Sequence, residues 1–178
     1  MDFEAVFKLL INNFEKGKIK FALIGGFALQ AAGYSRTTKD IDILVAKENM
    51  PKIKAMMLYY GYDLLYESED FSNYLGKMKE LGRVDFLHAH RKYAREMLEN
   101  AKEESIFNGK LKVRVIRPED LIGLKVQSYS NNPKRYHRDM ADIEEIIRAN
   151  RNNLDMKMVE EYFKLFKKTG DLKNILKE

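Results

Sequence analysis

A chain of 178 residues, 45% hydrophobic and 33% charged, has apolar content for one domain with a small appendage, and no apolar run is long enough to span a membrane. With no Cys there is no disulfide framework, no thiolate metal site and no cysteine nucleophile. The formal charge is +5, but residues 108–138 alone carry eight cations against Glu119 and Asp120, an excess of +6 that points to an anionic partner or a solvated basic face. Met1-Asp2-Phe3-Glu4 lacks the basic start of a secretion signal, which fits a cytoplasmic protein.

Phe3, Val6, Phe7, Leu10, Ile11 and Phe14 recur at helical spacing behind an Asp2 cap, and Gly17 ends that helix. Residues 20–24 read as a short buried strand running directly into Gly25-Gly26. A short helix over 27–32 stops at Gly33. Residues 41–46 form the second strand, and Asn49-Met50-Pro51 opens a helix that Gly61 breaks. Residues 62–67, 74–79 and 83–88 read as three further strands, followed by a helix over 91–101. Asn108-Gly109 marks a hairpin between 105–107 and 110–116. Pro118 opens a helix to about Ser128, and two more follow over 136–149 and 155–168. This order gives an α+β class: a mixed-sheet core over 1–117 with a helical C-terminal portion, 118–178, packed on it and too small to fold alone.

The chemistry lies in the first half. Asp40 and Asp42 open the second strand. Positions i and i+2 share a face there, about 6–7 Å apart. An Asp-x-Asp pair arises by chance about once in a chain of this composition, so the pair carries weight only with Gly25-Gly26 before it. Glycines between a buried strand and a helix let backbone N–H groups approach phosphates, although a tight turn needs the same residues. Bunched carboxylates repel one another, and a bound cation is the usual compensation. Asp85 is the candidate third carboxylate, because Val84 and Phe86 must face the opposite way. His88 and His90 share a face near the end of the Asp85 strand and read as surface or turn residues rather than ligands. Asp142 shares a helix with Ile143, Ile146 and Ile147 and suits a supporting contact.

These residues together resemble the nucleotidyltransferase superfamily related to DNA polymerase β. Leu23-Ile24-Gly25-Gly26 matches its hG[GS] turn, Asp40-Ile41-Asp42-Ile43-Leu44-Val45 its DhDhhh strand, and Val84-Asp85-Phe86 its third aspartate. The lead-in Arg36-Thr37-Thr38-Lys39, the helix start Pro118-Glu119-Asp120-Leu121-Ile122-Gly123-Leu124-Lys125 and the segment Arg138-Asp139-Met140-Ala141-Asp142-Ile143 resemble the branch holding abortive-infection/toxin-type and lincosamide- or aminoglycoside-modifying enzymes. The branch's usual lysine is replaced by Arg138, which keeps the charge.

The resemblance implies transfer of a nucleoside monophosphate from an NTP such as ATP to an acceptor hydroxyl, with release of pyrophosphate. It implies two Mg²⁺ ions about 3.5–4 Å apart on Asp40, Asp42 and Asp85. It further implies that Gly25, Gly26, Arg36, Thr38, Lys39 and Lys125 contact the nucleotide. The acceptor is open among RNA or a tRNA end, a protein and a small molecule. The competing reading is a nucleotide-binding or antitoxin-like partner module, one half of a toxin–antitoxin pair, without turnover.

Overall fold

A computed structural model describes residues 1–34 and 36–177. The chain divides into two compact units. One comprises Met1–Phe27 and Thr37–Ile116, the other Ala28–Arg36 and Arg117–Glu178.

The first unit is built on one seven-stranded mixed sheet in the order β3-β4-β5-β2-β1-β7-β6. In chain order its elements are α1 (Phe3–Lys16), β1 (Phe21–Ile24), the opening of α2 (Gly25–Ala31), β2 (Asp40–Ala46), α3 (Met50–Tyr59), β3 (Tyr62–Glu67), β4 (Phe71–Gly76), β5 (Arg83–Ala89), α4 (Lys92–Asn100), β6 (Lys102–Ile106) and β7 (Leu111–Val115). The Asp2 carboxylate caps α1 by accepting from the Ala5 N–H at 3.0 Å. Before α3, Asn49 makes no side-chain cap. A single 3₁₀ turn over Lys47–Asn49 leads the chain into that helix instead.

One sheet face is the core. Ile41, Ile43, Tyr74, Val84 and Phe86 are buried on it, and α1 supplies Val6, Phe7, Leu10 and Phe14. The Phe14 ring meets Phe86 at 6.3 Å. Successive side chains alternate faces, so the core fixes where β2 and β5 point their polar residues. β2 runs antiparallel to β1 and parallel to β5.

Two sequence expectations shift in detail. β4 begins at Phe71 rather than near residue 74, because Ser68 forms the turn: its hydroxyl accepts from the N–H groups of Asp70 and Phe71. The Asn108-Gly109 turn is not a two-residue hairpin. Phe107, Asn108 and Gly109 all have positive φ in a four-residue connection between β6 and β7.

The second unit contains residues 28–36 and the helices α5 (Pro118–Asn131), α6 (Tyr136–Ala149), α7 (Met156–Leu165) and α8 (Thr169–Ile175). The helix expected over 155–168 ends at Leu165, where Lys167 takes φ 57°, and α8 lies beyond the last helix the sequence suggests. At Gly123 a Cβ would fall 2.7 Å from the Tyr162 ring, so glycine there lets α5 and α7 pack closely. Asn150 ties the α6 end to residues 28–36 by donating to the Ala32 carbonyl at 2.8 Å.

Candidate active site

The β2–β5 pairing places Asp42 beside Asp85 and Asp40 beside Arg83. All four side chains share the face opposite Ile41, Ile43, Val84 and Phe86, which are buried. The three aspartates are half-buried, on two neighbouring strands about 4.8 Å apart. Arg83 completes the cluster. Its Nε donates to Asp85 Oδ1 at 2.8 Å and to Oδ2 at 3.1 Å. The hydrogen bond to Asp85, then the fields of Asp85, Asp40 and Asp42, hold the guanidinium above its ordinary pKa despite partial desolvation.

The glycine doublet closes one side of this face. Ile24 pairs with Asp42, so the next residue, Gly25, lies against the Asp42 side chain. A Cβ on Gly25 would overlap the Asp42 carboxylate, and its φ of +63° is a conformation that favours glycine. A Cβ on Gly26 would lie 2.5 Å from Thr38 Cβ and 2.6 Å from Thr38 Oγ1. Thr38 donates to the Asp40 carbonyl at 3.1 Å, which holds the start of β2. Lys39 is exposed beside it. α2 begins on Gly25 itself, two residues earlier than the sequence suggests, so both glycines lie in its first turn.

The family described as "Nucleotidyl transferase of unknown function (DUF2204)" matches residues 3–178. The chain belongs to this family. The antibiotic-resistance factor ANT(2'')-Ia, in its solution structure, superposes with a TM-score of 0.69 at 15% identity, covering 98% of this chain and 97% of that one. The lincomycin-bound lincosamide antibiotic adenylyltransferase LnuA gives a TM-score of 0.57 at 16% identity, over 80% and 95% of the two chains. An antigenic nucleotidyltransferase-like protein from Paracoccidioides brasiliensis gives 0.60 at 17% identity, over 99% and 92%. At such identities these likenesses establish a shared fold, as the motifs of the sequence imply. No curated protein matches by sequence.

In this chain the donor set suits Mg²⁺ in kind, since hard cations take carboxylate oxygens. The close seating of Gly25 against Asp42 leaves a cradle that a Cβ would fill. Asp85 is engaged by Arg83, and among the described residues no three His, Asp or Glu side chains are already gathered around one point as an ion would require.

Arg36 and Lys125 belong to the second unit. Lys125 Nζ lies 3.3 Å from Asp139 Oδ1 and 2.5 Å from Asp142 Oδ2. Arg36 Nε lies 3.1 Å from Asp142 Oδ1, an ion-pair contact without hydrogen-bond geometry. Asp142 is therefore the supporting carboxylate its helix position suggests.

Much of the charge in 108–138 is also committed locally. Lys110 pairs with Glu4, Lys112 with Glu103, Arg117 with Asp120 and Arg135 with Asp139. Arg114 donates to the carbonyls of Leu98, Glu99 and Ala101.

His88 is not a surface residue. It lies on the core face, buried, with Nε2 3.0 Å from Ser72 Oγ and Nδ1 3.1 Å from the Glu69 carbonyl. His90 sits outside, 2.7 Å from Asp70 Oδ1. Sequence reasoning missed Arg83, although the signal was there: the alternation that puts Asp85 on the polar face puts residue 83 there too.

Proposed function

We propose that this protein transfers a nucleoside monophosphate from a nucleoside triphosphate to an acceptor hydroxyl. The observation that carries the reading is the pairing of Asp42 with Asp85 on the face that Gly25 closes. Asp40, Asp42 and Asp85 would hold Mg²⁺, which supplies charge neutralisation at the phosphates and lowers the pKa of the attacking hydroxyl. Backbone N–H groups at Gly25 and Gly26 bind the triphosphate, and the exposed Lys39 adds a cation to it. Thr38 steadies both the glycine turn and the start of β2. The acceptor oxygen forms a bond to the α-phosphorus. The bond from that phosphorus to the bridging oxygen breaks, and pyrophosphate leaves with the electron pair. Asp85 takes the hydroxyl proton.

Incubating the protein with Mg²⁺ and each labelled NTP and assaying pyrophosphate tests the reading. Asp40→Asn and Asp42→Asn lose turnover while keeping the wild-type circular dichroism spectrum. Full turnover in either variant overturns it, and nucleotide binding without any turnover favours the partner-module reading.

A further inference from the structure

The face carrying the aspartates continues beyond β5. Asp42 pairs with Asp85, Asp85 with Asn73 on β4, and Asn73 with Tyr66 on β3. These four residues form one row across four strands. Phe71 lies beside Leu87, and Leu75 beside Arg83. The Tyr66 and Phe71 rings stack at 5.0 Å and 25°. Tyr66 is 51% exposed, Phe71 41% and Leu75 44%, so the acidic face passes into an open aromatic and apolar platform. Strand spacing sets Tyr66 about 10 Å from Asp85.

We infer that this platform seats the body of the acceptor, and that the acceptor is an uncharged hydroxyl compound with a flat aromatic or apolar ring. The inference rests on the transfer reaction proposed above. The glycine turn lies on the β1 side of β2, so the leaving pyrophosphate lies on that side. In-line displacement brings the acceptor from the opposite side, over β5 and β4. A ring on Tyr66 and Phe71 stacks as aromatic surfaces do, and the Asn73 amide, between ring and Asp85, orients polar substituents. Charge selects against the alternatives. Lys77 pairs with Asp63, Lys54 with Glu67, Lys47 with Glu69, and Arg91 with Asp70. The platform's rim thus offers neither a basic track for a nucleic acid nor an acidic one for a polyamine.

The chain has no Trp, so Phe71→Trp gives a single reporter that preserves the platform. Its fluorescence is titrated with 4-nitrophenyl β-D-glucopyranoside, glucose, spermine and oligoadenylate. Saturable quenching by the aryl glucoside is expected, with glucose at least about tenfold weaker. Adding Tyr66→Ser should weaken the aryl glucoside about tenfold, the scale of one lost stacking contact. Tighter binding of oligoadenylate or spermine, an unchanged affinity in the double variant, or no response to any probe overturns the inference. Calorimetric titration of the unaltered protein with Mg²⁺ and NTP is run separately. If nucleotide fails to bind while the aryl probe binds, the transferase reading falls and the platform stands. The reverse result removes the platform alone.

Discussion

Arg83 donates through Nε to both carboxylate oxygens of Asp85, at 2.8 and 3.1 Å, while its backbone is paired with Asp40. One protein cation therefore stands among three carboxylates whose mutual repulsion would otherwise raise the energy of the folded site. Arg83 is 41% exposed, so its guanidinium has room to leave when another cation takes Asp85.

Arg83→Gln should bind Mn²⁺ more tightly than the wild type, by several-fold to about tenfold, because the ion no longer displaces a competitor (tenfold is about 1.4 kcal/mol). Mn²⁺ paramagnetic resonance gives the affinity without any turnover. The variant's melting temperature should fall without metal and recover with it. Equal Mn²⁺ affinity in the two proteins would remove Arg83 as the site's counter-ion.

Gly25→Ala should lose at least about 100-fold in nucleotidyl transfer. The new Cβ collides with the Asp42 carboxylate, and a positive φ costs an alanine on the order of 1 kcal/mol. Gly109→Ala is the control. It also has positive φ, at +84°, but nothing lies within 4 Å of its Cβ site. It should lose stability of similar order and keep transfer. Similar activity in both variants would show that backbone strain, not the Gly25–Asp42 approach, limits the site.

The strands bearing Asp40, Asp42 and Asp85 were legible because alternation and apolar content are local signals. The i, i+2 spacing puts Asp40 and Asp42 on one face of their strand, and Val84 and Phe86 set the side of Asp85. The pairing of Asp42 with Asp85 was not legible, since register between strands forty residues apart is a property of the packed sheet. The commitment of Lys125 was hidden for the same reason. The resemblance implies a nucleotide contact for Lys125, and only the packed helices show Asp139 and Asp142 against it. Alternation from Val84 and Phe86 points His88 to the core face, against the surface place that its polarity suggests. The hydroxyl of Ser72 and the carbonyl of Glu69 make that burial affordable.

The buried His88 makes a pH prediction with a definite sign. Desolvation lowers its pKa below the usual 6.5, although the Glu69 carbonyl opposes the shift. The unfolded chain therefore takes up the proton first as pH falls. Stability contributed by neutral His88 is complete above about pH 6.5 and declines below it until the folded-state pKa is passed. The decline is at most about 1.4 kcal/mol per pH unit. Urea midpoints from pH 7.5 to 5 should fall for the wild type and flatten in His88→Gln. Parallel curves would assign the decline to other groups.

Lys125→Met should be among the most destabilising single changes in the second unit. It leaves the buried Asp139 and Asp142 without their shared ammonium, a loss of about 3–5 kcal/mol, or on the order of 10 °C in melting temperature. Arg135 and Arg36 still face one carboxylate each, which keeps the loss finite. For Asp139, burial raises the pKa, but the hydrogen bonds from Arg135 and Ser128 and the charges of Lys125 and Arg135 outweigh it and leave it lowered. A depressed carboxylate contributes stability that is present above its unfolded value of 3.8 and lost as pH falls through the folded one. Without Lys125, Asp139 protonates more readily, so the deficit of Lys125→Met against the wild type should narrow between pH 7 and pH 4.5. Urea unfolding at both pH values measures that difference. A deficit that stays constant would mean that Lys125 stabilises the helices through its packed methylenes rather than its charge.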